Sequence, residues 1–170
     1  MKNIFLCGFM GSGKTTIAKI LTKKTNLTFI DTDLKIKNLL NLTINEIFSI
    51  YGENYFRKLE HKILEKINKN KNQIVSTGGG LFSKRKNRKL AKKTGVIVFL
   101  NCPLEICLKR IKDIKNRPLL KDKNQILKLY LKRQKIYTKI ADFIVENTTT
   151  ANKCADSILK LFNLPTFGFK

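Results

Sequence analysis

A chain of 170 residues suits one compact α/β domain, and a hydrophobic share of 42% is enough for a real core. No apolar stretch approaches the length of a membrane span and no signal peptide precedes Ile4, so membrane and secreted classes fall away and a soluble, cytoplasmic protein is expected. The formal net charge of +23 leaves two explanations, phosphate neutralisation on a nucleic acid or a drift of composition toward Lys, Asn and Ile.

The first predicted element is Ile4-Phe5-Leu6-Cys7, a short, β-prone apolar run with the form of a buried strand. It leads straight into Gly8-Phe9-Met10-Gly11-Ser12-Gly13-Lys14-Thr15, which matches the phosphate-binding pattern G-x-x-x-x-G-K-[ST]. Ile17, Ile20 and Leu21 then recur at helical spacing, so a helix opens near Lys14. Strand, glycine loop and helix are the context that the pattern requires. Glycines let backbone N–H groups converge on phosphate oxygens, and the helix N-terminus adds a favourable dipole. Lys14 can reach the β- and γ-phosphates of a nucleotide, and the Thr15 hydroxyl can ligate Mg²⁺.

Thr28-Phe29-Ile30 is a second short strand, ending at Asp31-Thr32-Asp33, and a helix carrying Leu34, Ile36, Leu39 and Leu40 follows. Thr43-Ile44-Asn45-Glu46 has the capping-box form and starts another helix, which Gly52 breaks; a longer one runs from Glu53 to about Asn68 with Phe56, Leu59, Ile63 and Ile67 as its apolar stripe. Gln73-Ile74-Val75-Ser76 is the third strand, followed by Thr77-Gly78-Gly79-Gly80 and a basic helix reaching Lys93. Val96 to Leu100 is the clearest buried strand, Pro103 suits the first turn of a helix ending near Arg110, and Ile111 to Lys123 reads as a long basic loop of the kind that closes over active sites. A helix over Asn124 to Ile140, a strand at Phe143-Ile144-Val145 and a closing helix over Lys153 to Phe162 complete the chain. Strands alternating with helices imply a doubly wound parallel sheet.

Cys7, Cys102, Cys107 and Cys154 form no C-x-x-C pair, and with His61 the single histidine there is no zinc set, so the thiols read as reduced and structural. The lysines are scattered along the whole chain. Their densest cluster, Lys84-Arg85-Lys86-Asn87-Arg88-Lys89 with Lys92-Lys93, lacks the aromatic interleaving of single-strand binders. It reads as a solvated face, with weak, nonspecific RNA binding as a by-product.

Asp31 and Asp33 stand at the carboxyl end of a strand, where open α/β sheets bind ligands, and two acids beside a phosphate site suggest work on a metal and a hydroxyl; a helix N-cap is the competing use. Arg57 and Glu60, three apart on one helix, can pair. Taken together, the phosphate loop, Asp31-Thr32-Asp33, Phe56-Arg57-Lys58-Leu59-Glu60, Gly78-Gly79-Gly80, Arg117-Pro118-Leu119-Leu120, and Arg133 with Tyr137 and Ala141 behind it resemble the shikimate kinases in order and spacing over nearly the whole chain.

The resemblance implies a P-loop kinase fold, a three-layer sandwich whose five-stranded parallel sheet has the order 2-3-1-4-5. It implies a single kinase domain over residues 1–170, with substrate-binding helices at about 33–60 and a lid at about 111–123. The activity would be ATP- and Mg²⁺-dependent phosphorylation of the shikimate 3-hydroxyl to 3-phosphoshikimate and ADP, on the route to chorismate and the aromatic amino acids. Gly11, Ser12, Gly13, Lys14, Thr15 and Thr16 would hold the nucleotide phosphates, with Thr15 and Asp31 placing Mg²⁺ and Ser76 near it. Asp33 would bind the substrate hydroxyls and accept the proton of the attacking one. Arg57, fixed by Glu60, and Arg133 would clamp the shikimate carboxylate, with Gly79 and Gly80 contacting the substrate through backbone N–H groups. Arg117 would act from the lid as a catalytic arginine on the nucleotide phosphates. Arg110 would pack on adenine, although a helix C-terminal cation reads the same residue equally well. Thr150 would contact adenine. A monomer without specific nucleic-acid or membrane partners is expected. Another small-molecule kinase of this fold is argued against by the Asp-x-Asp pair and the paired arginines, and a nucleotide-dependent RNA-binding module by the complete acceptor constellation.

Overall fold

The computed structural model describes residues 2–111 and 122–164. Five strands, β1 (Asn3–Cys7), β2 (Thr28–Asp31), β3 (Gln73–Ser76), β4 (Gly95–Asn101) and β5 (Phe143–Glu146), form one parallel sheet in the order β2-β3-β1-β4-β5. The α-helices among the described residues are α1 (Lys14–Lys24), α2 (Thr32–Leu40), α3 (Ile44–Ile67), α4 (Arg85–Thr94), α5 (Leu104–Arg110), α6 (Lys123–Ile140) and α7 (Ala151–Leu161). The parallel sheet is the one that the alternation of strands and helices predicts, and its order is the one that the resemblance implies.

β1 shows why both faces need cover. All five of its residues are buried, and successive side chains alternate between faces. Ile4 and Leu6 join Ile17 and Leu21 of α1 and Ile158 of α7 on one side, while Phe5 and Cys7 join Phe56 and Ile63 of α3 and Tyr137 of α6 on the other. A third cluster, Phe9, Cys102, Cys107, Ile111 and Ile126, lies under the loop that follows β1. Since β1 has β3 on one side and β4 on the other, the strand order reverses beside it, and the carboxyl ends of β1, β2 and β3 open onto one crevice.

Two predicted boundaries shift. The helices on either side of Gly52 form one helical run kinked at that residue (φ 75°, ψ 168°), a conformation that favours glycine. α7 starts at Ala151, two residues before the predicted Lys153, because the Thr150 hydroxyl caps it by accepting from the Lys153 N–H. The Thr43–Glu46 capping box forms as predicted. All four cysteines are buried and free of disulfides. α4 exposes Lys84, Arg85, Lys86 and Lys89 around a buried Asn87 and Ala91, the solvated face that the composition suggests. No helix among the described residues is long and apolar enough to cross a membrane.

Candidate active site

The loop after β1 is shaped by backbone contact. Gly11 (φ 79°) and Gly13 (φ 85°) lie in the left-handed region, and a Cβ on Gly11 would overlap the Cys107 carbonyl of α5. Gly13 is the N-cap of α1, which has no side-chain cap and no acid in its first turn, so a bound anion can satisfy the open N–H groups there. The Ser12 N–H donates to the Phe9 carbonyl at 3.1 Å, and the Ser12 side chain is fully buried. Lys14 folds back over the loop, its Nζ donating to the carbonyls of Gly8 and Phe9 at 2.9 Å each. Burial lowers its pKa to about 8, against the pull of Asp33.

The loop opens onto a cleft of about 1100 Å³, roomy enough for a nucleotide and a small acceptor side by side. Gly11, Gly13, Lys14, Thr15, Thr16, Asp31, Asp33, Arg57, Gly79, Gly80, Arg110 and Arg133 all line it. The Thr15 hydroxyl donates to Asp31 Oδ2 at 2.8 Å and lies 3.0 Å from the Ser76 hydroxyl. Asp31 Oδ1 accepts from the N–H groups of Asp33 and Leu34 at 3.0 and 3.1 Å, capping α2. One oxygen of this carboxylate therefore caps α2 while the other is turned to the Thr15 hydroxyl. A carboxylate oxygen and two hydroxyls converging beside a phosphate loop form a hard-oxygen set that suits Mg²⁺, an ion that keeps much of its shell as water and phosphate oxygen. Among the described residues no group of three or more His, Cys, Asp or Glu could hold a metal unaided.

At the other end of the cleft, the Arg57 Nη1 donates to Glu60 Oε2 at 2.7 Å, and its Nε and Nη2 donate to Glu53 Oε1 at 3.0 and 2.7 Å. Glu60 is 1% exposed, and burial pushes its carboxyl up to about 7 although Arg57 pulls the other way. Arg133, from α6, lies 5.6 Å over the Phe9 ring, and a Cβ on Gly79 would come within 3.0 Å of its Nη1. Among the described residues no carboxylate stands within ion-pair distance of Arg133. Burial, together with the like charge of Arg57, lowers its pKa. Two carboxylates hold the Arg57 guanidinium, and an anion between it and Arg133 would relieve the repulsion of the two like charges. Asp33 completes this end: a Cβ on Gly78 would overlap its carboxylate.

Gly80 is directly testable. A Cβ there would overlap the Arg57 guanidinium, which Glu53 and Glu60 hold in place, while its φ of −105° suits any residue. Gly80→Ala is expected to weaken binding of shikimate, the acceptor that the resemblance implies, by about 2 kcal/mol through loss of one arginine. Nucleotide affinity should be unaffected. Separate calorimetric titrations of the two ligands check both halves.

Thr150 caps α7 and is not part of the cleft wall, which Asn147, Thr149 and Ala151 supply instead. Arg110 ends α5, and its guanidinium donates to the carbonyls of Asn147 at 3.3 Å and Thr149 at 3.2 Å while facing the cleft, so it serves as a helix-end cation and a wall residue together. The buried Asn147 Nδ2 donates to the Ser12 carbonyl at 2.7 Å, tying this loop to the phosphate loop. Nothing in the sequence singles out Asn147 within Asn147–Ala151. Glu53 is also missed, although its spacing of four before Arg57 is a legible signal. Arg117 and most of the predicted lid lie outside the described residues.

The family model for shikimate kinase matches residues 10–163. A shikimate kinase of Caldicellulosiruptor bescii is 42% identical over 165 residues, covering 95% of either chain. Among solved structures, a shikimate kinase of Acinetobacter baumannii in complex with shikimate superposes with a TM-score of 0.89 at 36% identity, covering 96% of this chain and 93% of that one. One from Aquifex aeolicus gives 0.85 at 38% identity, covering 95% and 96%. With the fold, the phosphate loop and the arginine pair already in place, these matches show that the chain belongs to the shikimate kinase family.

Proposed function

We propose that the chain transfers the γ-phosphoryl group of ATP to the 3-hydroxyl of shikimate, releasing ADP and 3-phosphoshikimate, and that it does so as a Mg²⁺-dependent cytoplasmic monomer. The observation that carries this reading is the layout of one cleft. Lys14 and the open N-terminus of α1 stand at one end, Arg57 and Arg133 converge over Gly79 and Gly80 at the other, and Asp33 also lines the wall.

Phosphoryl transfer asks little covalent chemistry of a protein, so positioning and charge stabilisation do most of the work. The loop N–H groups and Lys14 hold the phosphates, and the ammonium exchanges its two loop carbonyls for phosphate oxygens. Mg²⁺, when bound, supplies positive charge to the phosphates, and the Thr15 hydroxyl and Asp31 carboxylate would hold it, with Ser76 beside them. Arg57 and Arg133 take the substrate carboxylate as a bidentate pair. That aims the ring hydroxyls at Asp33, which accepts the proton of the attacking oxygen. Arg117 is assigned to the transferring phosphate and Arg110 to the adenine face. The single experiment is a coupled ADP-release assay with ATP and Mg²⁺. Turnover with shikimate and none with gluconate or nucleoside monophosphates is expected, and the reverse pattern overturns the reading.

A pH prediction follows from Glu60. Burial already holds its carboxyl near neutrality, and a bound carboxylate on Arg57 adds a further negative charge beside it. Binding should therefore favour protonated Glu60, so shikimate binds more tightly as pH falls from about 8 to about 6, with proton uptake. The substrate carboxylate stays ionised throughout that window. Calorimetry in two buffers of different ionisation enthalpy checks this, and proton release on binding would contradict it.

A further inference from the structure

We infer that Tyr137 is a positioning residue for the acceptor: its hydroxyl donates to the Gly79 carbonyl at 2.6 Å and so turns the following N–H, that of Gly80, into the cleft. The inference rests on the proposed acceptor reading for its function but on geometry alone for its structural half.

A trans peptide is planar, with its C=O and N–H pointing to opposite sides. Fixing the Gly79 carbonyl therefore fixes the direction of the Gly80 N–H. Two adjacent glycines have no side chains to restrict them, so this peptide needs an outside restraint. Tyr137 is 3% exposed, and its ring packs on Phe99 at 5.2 Å between centroids, which leaves the hydroxyl little freedom. Burial holds the phenol above its usual pKa, so it remains a donor. Among the described residues, no protein acceptor takes the N–H of Gly79 or of Gly80, although both glycines line the cleft. Donors left open in this way suit a ligand oxygen. Tyr137 also lies one helical turn after Arg133 on α6, and Arg133 stands against Gly79. One helix face thereby sets both the clamp arginine and the direction of the peptide beneath it.

Tyr137→Phe removes the donor and keeps the ring. We expect the Michaelis constant for shikimate to rise about tenfold, the scale of one buried hydrogen bond, with kcat and the Michaelis constant for ATP nearly unchanged. In the ligand-free protein, ¹⁵N relaxation should show the Gly79 and Gly80 amides losing order. Incorporating 4-aminophenylalanine at 137 restores an N–H donor and should recover both properties. A merely structural role would lower the melting temperature and weaken both substrates alike. Unchanged Gly79 and Gly80 order in Tyr137→Phe overturns the inference whatever the acceptor proves to be. Unchanged shikimate Michaelis constant, or an equal rise for ATP, overturns it where the wild type phosphorylates shikimate. Failure of the wild type to do so tells against the acceptor reading separately.

Discussion

Lys14→Met is expected to lower turnover by about 10²–10³-fold, the effect of removing one preorganised charge donor from a transition state. Affinity for shikimate should stay near that of the wild type. Methionine keeps the length and apolar body of the stem, so the change isolates the ammonium. Among the described residues that ammonium donates to the Gly8 and Phe9 carbonyls, and burial depresses its pKa to about 8. Phosphates entering the loop would offer it better acceptors and raise its pKa again. Their charge is spread over the equatorial oxygens during transfer, which is where a mobile point charge is most useful. Arg57 and Arg133 belong to other elements and do not depend on Lys14 for their position. Single-turnover kinetics with pre-bound shikimate separate the two effects, and near-normal turnover would remove Lys14 from the mechanism.

What the sequence could and could not disclose follows from how each signal is carried. The phosphate loop is contiguous, so its glycines, Lys14 and Thr15 are legible as a string, and the structure adds only what they touch. Arg57 and Glu60 are legible as a local helical pair. The meeting of Arg57 with Arg133 has no local trace, because α3 and α6 are distant in sequence and come together only by packing on the same face of the sheet; it becomes readable only through resemblance to a family. The reason for each glycine in Gly78-Gly79-Gly80 is equally remote, since Asp33, Arg133 and Arg57 respectively occupy the space a side chain would need. Thr150 has a local use that the sequence can show by itself, as a threonine before a helix that caps it. Asn147 carries no pattern at all and acts through one long-range hydrogen bond to Ser12.

Arg57 and Arg133 are expected to act as one clamp, and a double-mutant cycle should show it. They lie on different helices, and among the described residues no carboxylate bridges them. Both feel the charge of Glu60, so the part of the coupling that depends on the ligand's carboxylate is the part that reports the clamp. Each Lys substitution alone should weaken shikimate binding, because an ammonium cannot reproduce the bidentate fork, and loss of a buried charge partner costs about 2–5 kcal/mol. The two substitutions differ in what they leave behind. Arg57→Lys strands Glu53 and a buried Glu60 with a poorer partner, so it should also lower thermal stability. Arg133→Lys leaves the ion pairs of Arg57 with Glu53 and Glu60 in place, and its cost should fall mainly on binding. Groups that share a partner are typically non-additive by about 0.5–3 kcal/mol. Repeating the cycle with an analogue whose carboxylate is a neutral amide should shrink that coupling, since the amide accepts from one fork at most. Equal relative losses for shikimate and the amide would mean that the arginines do not read the carboxylate, and the assignment of shikimate as acceptor would lose its main physical support.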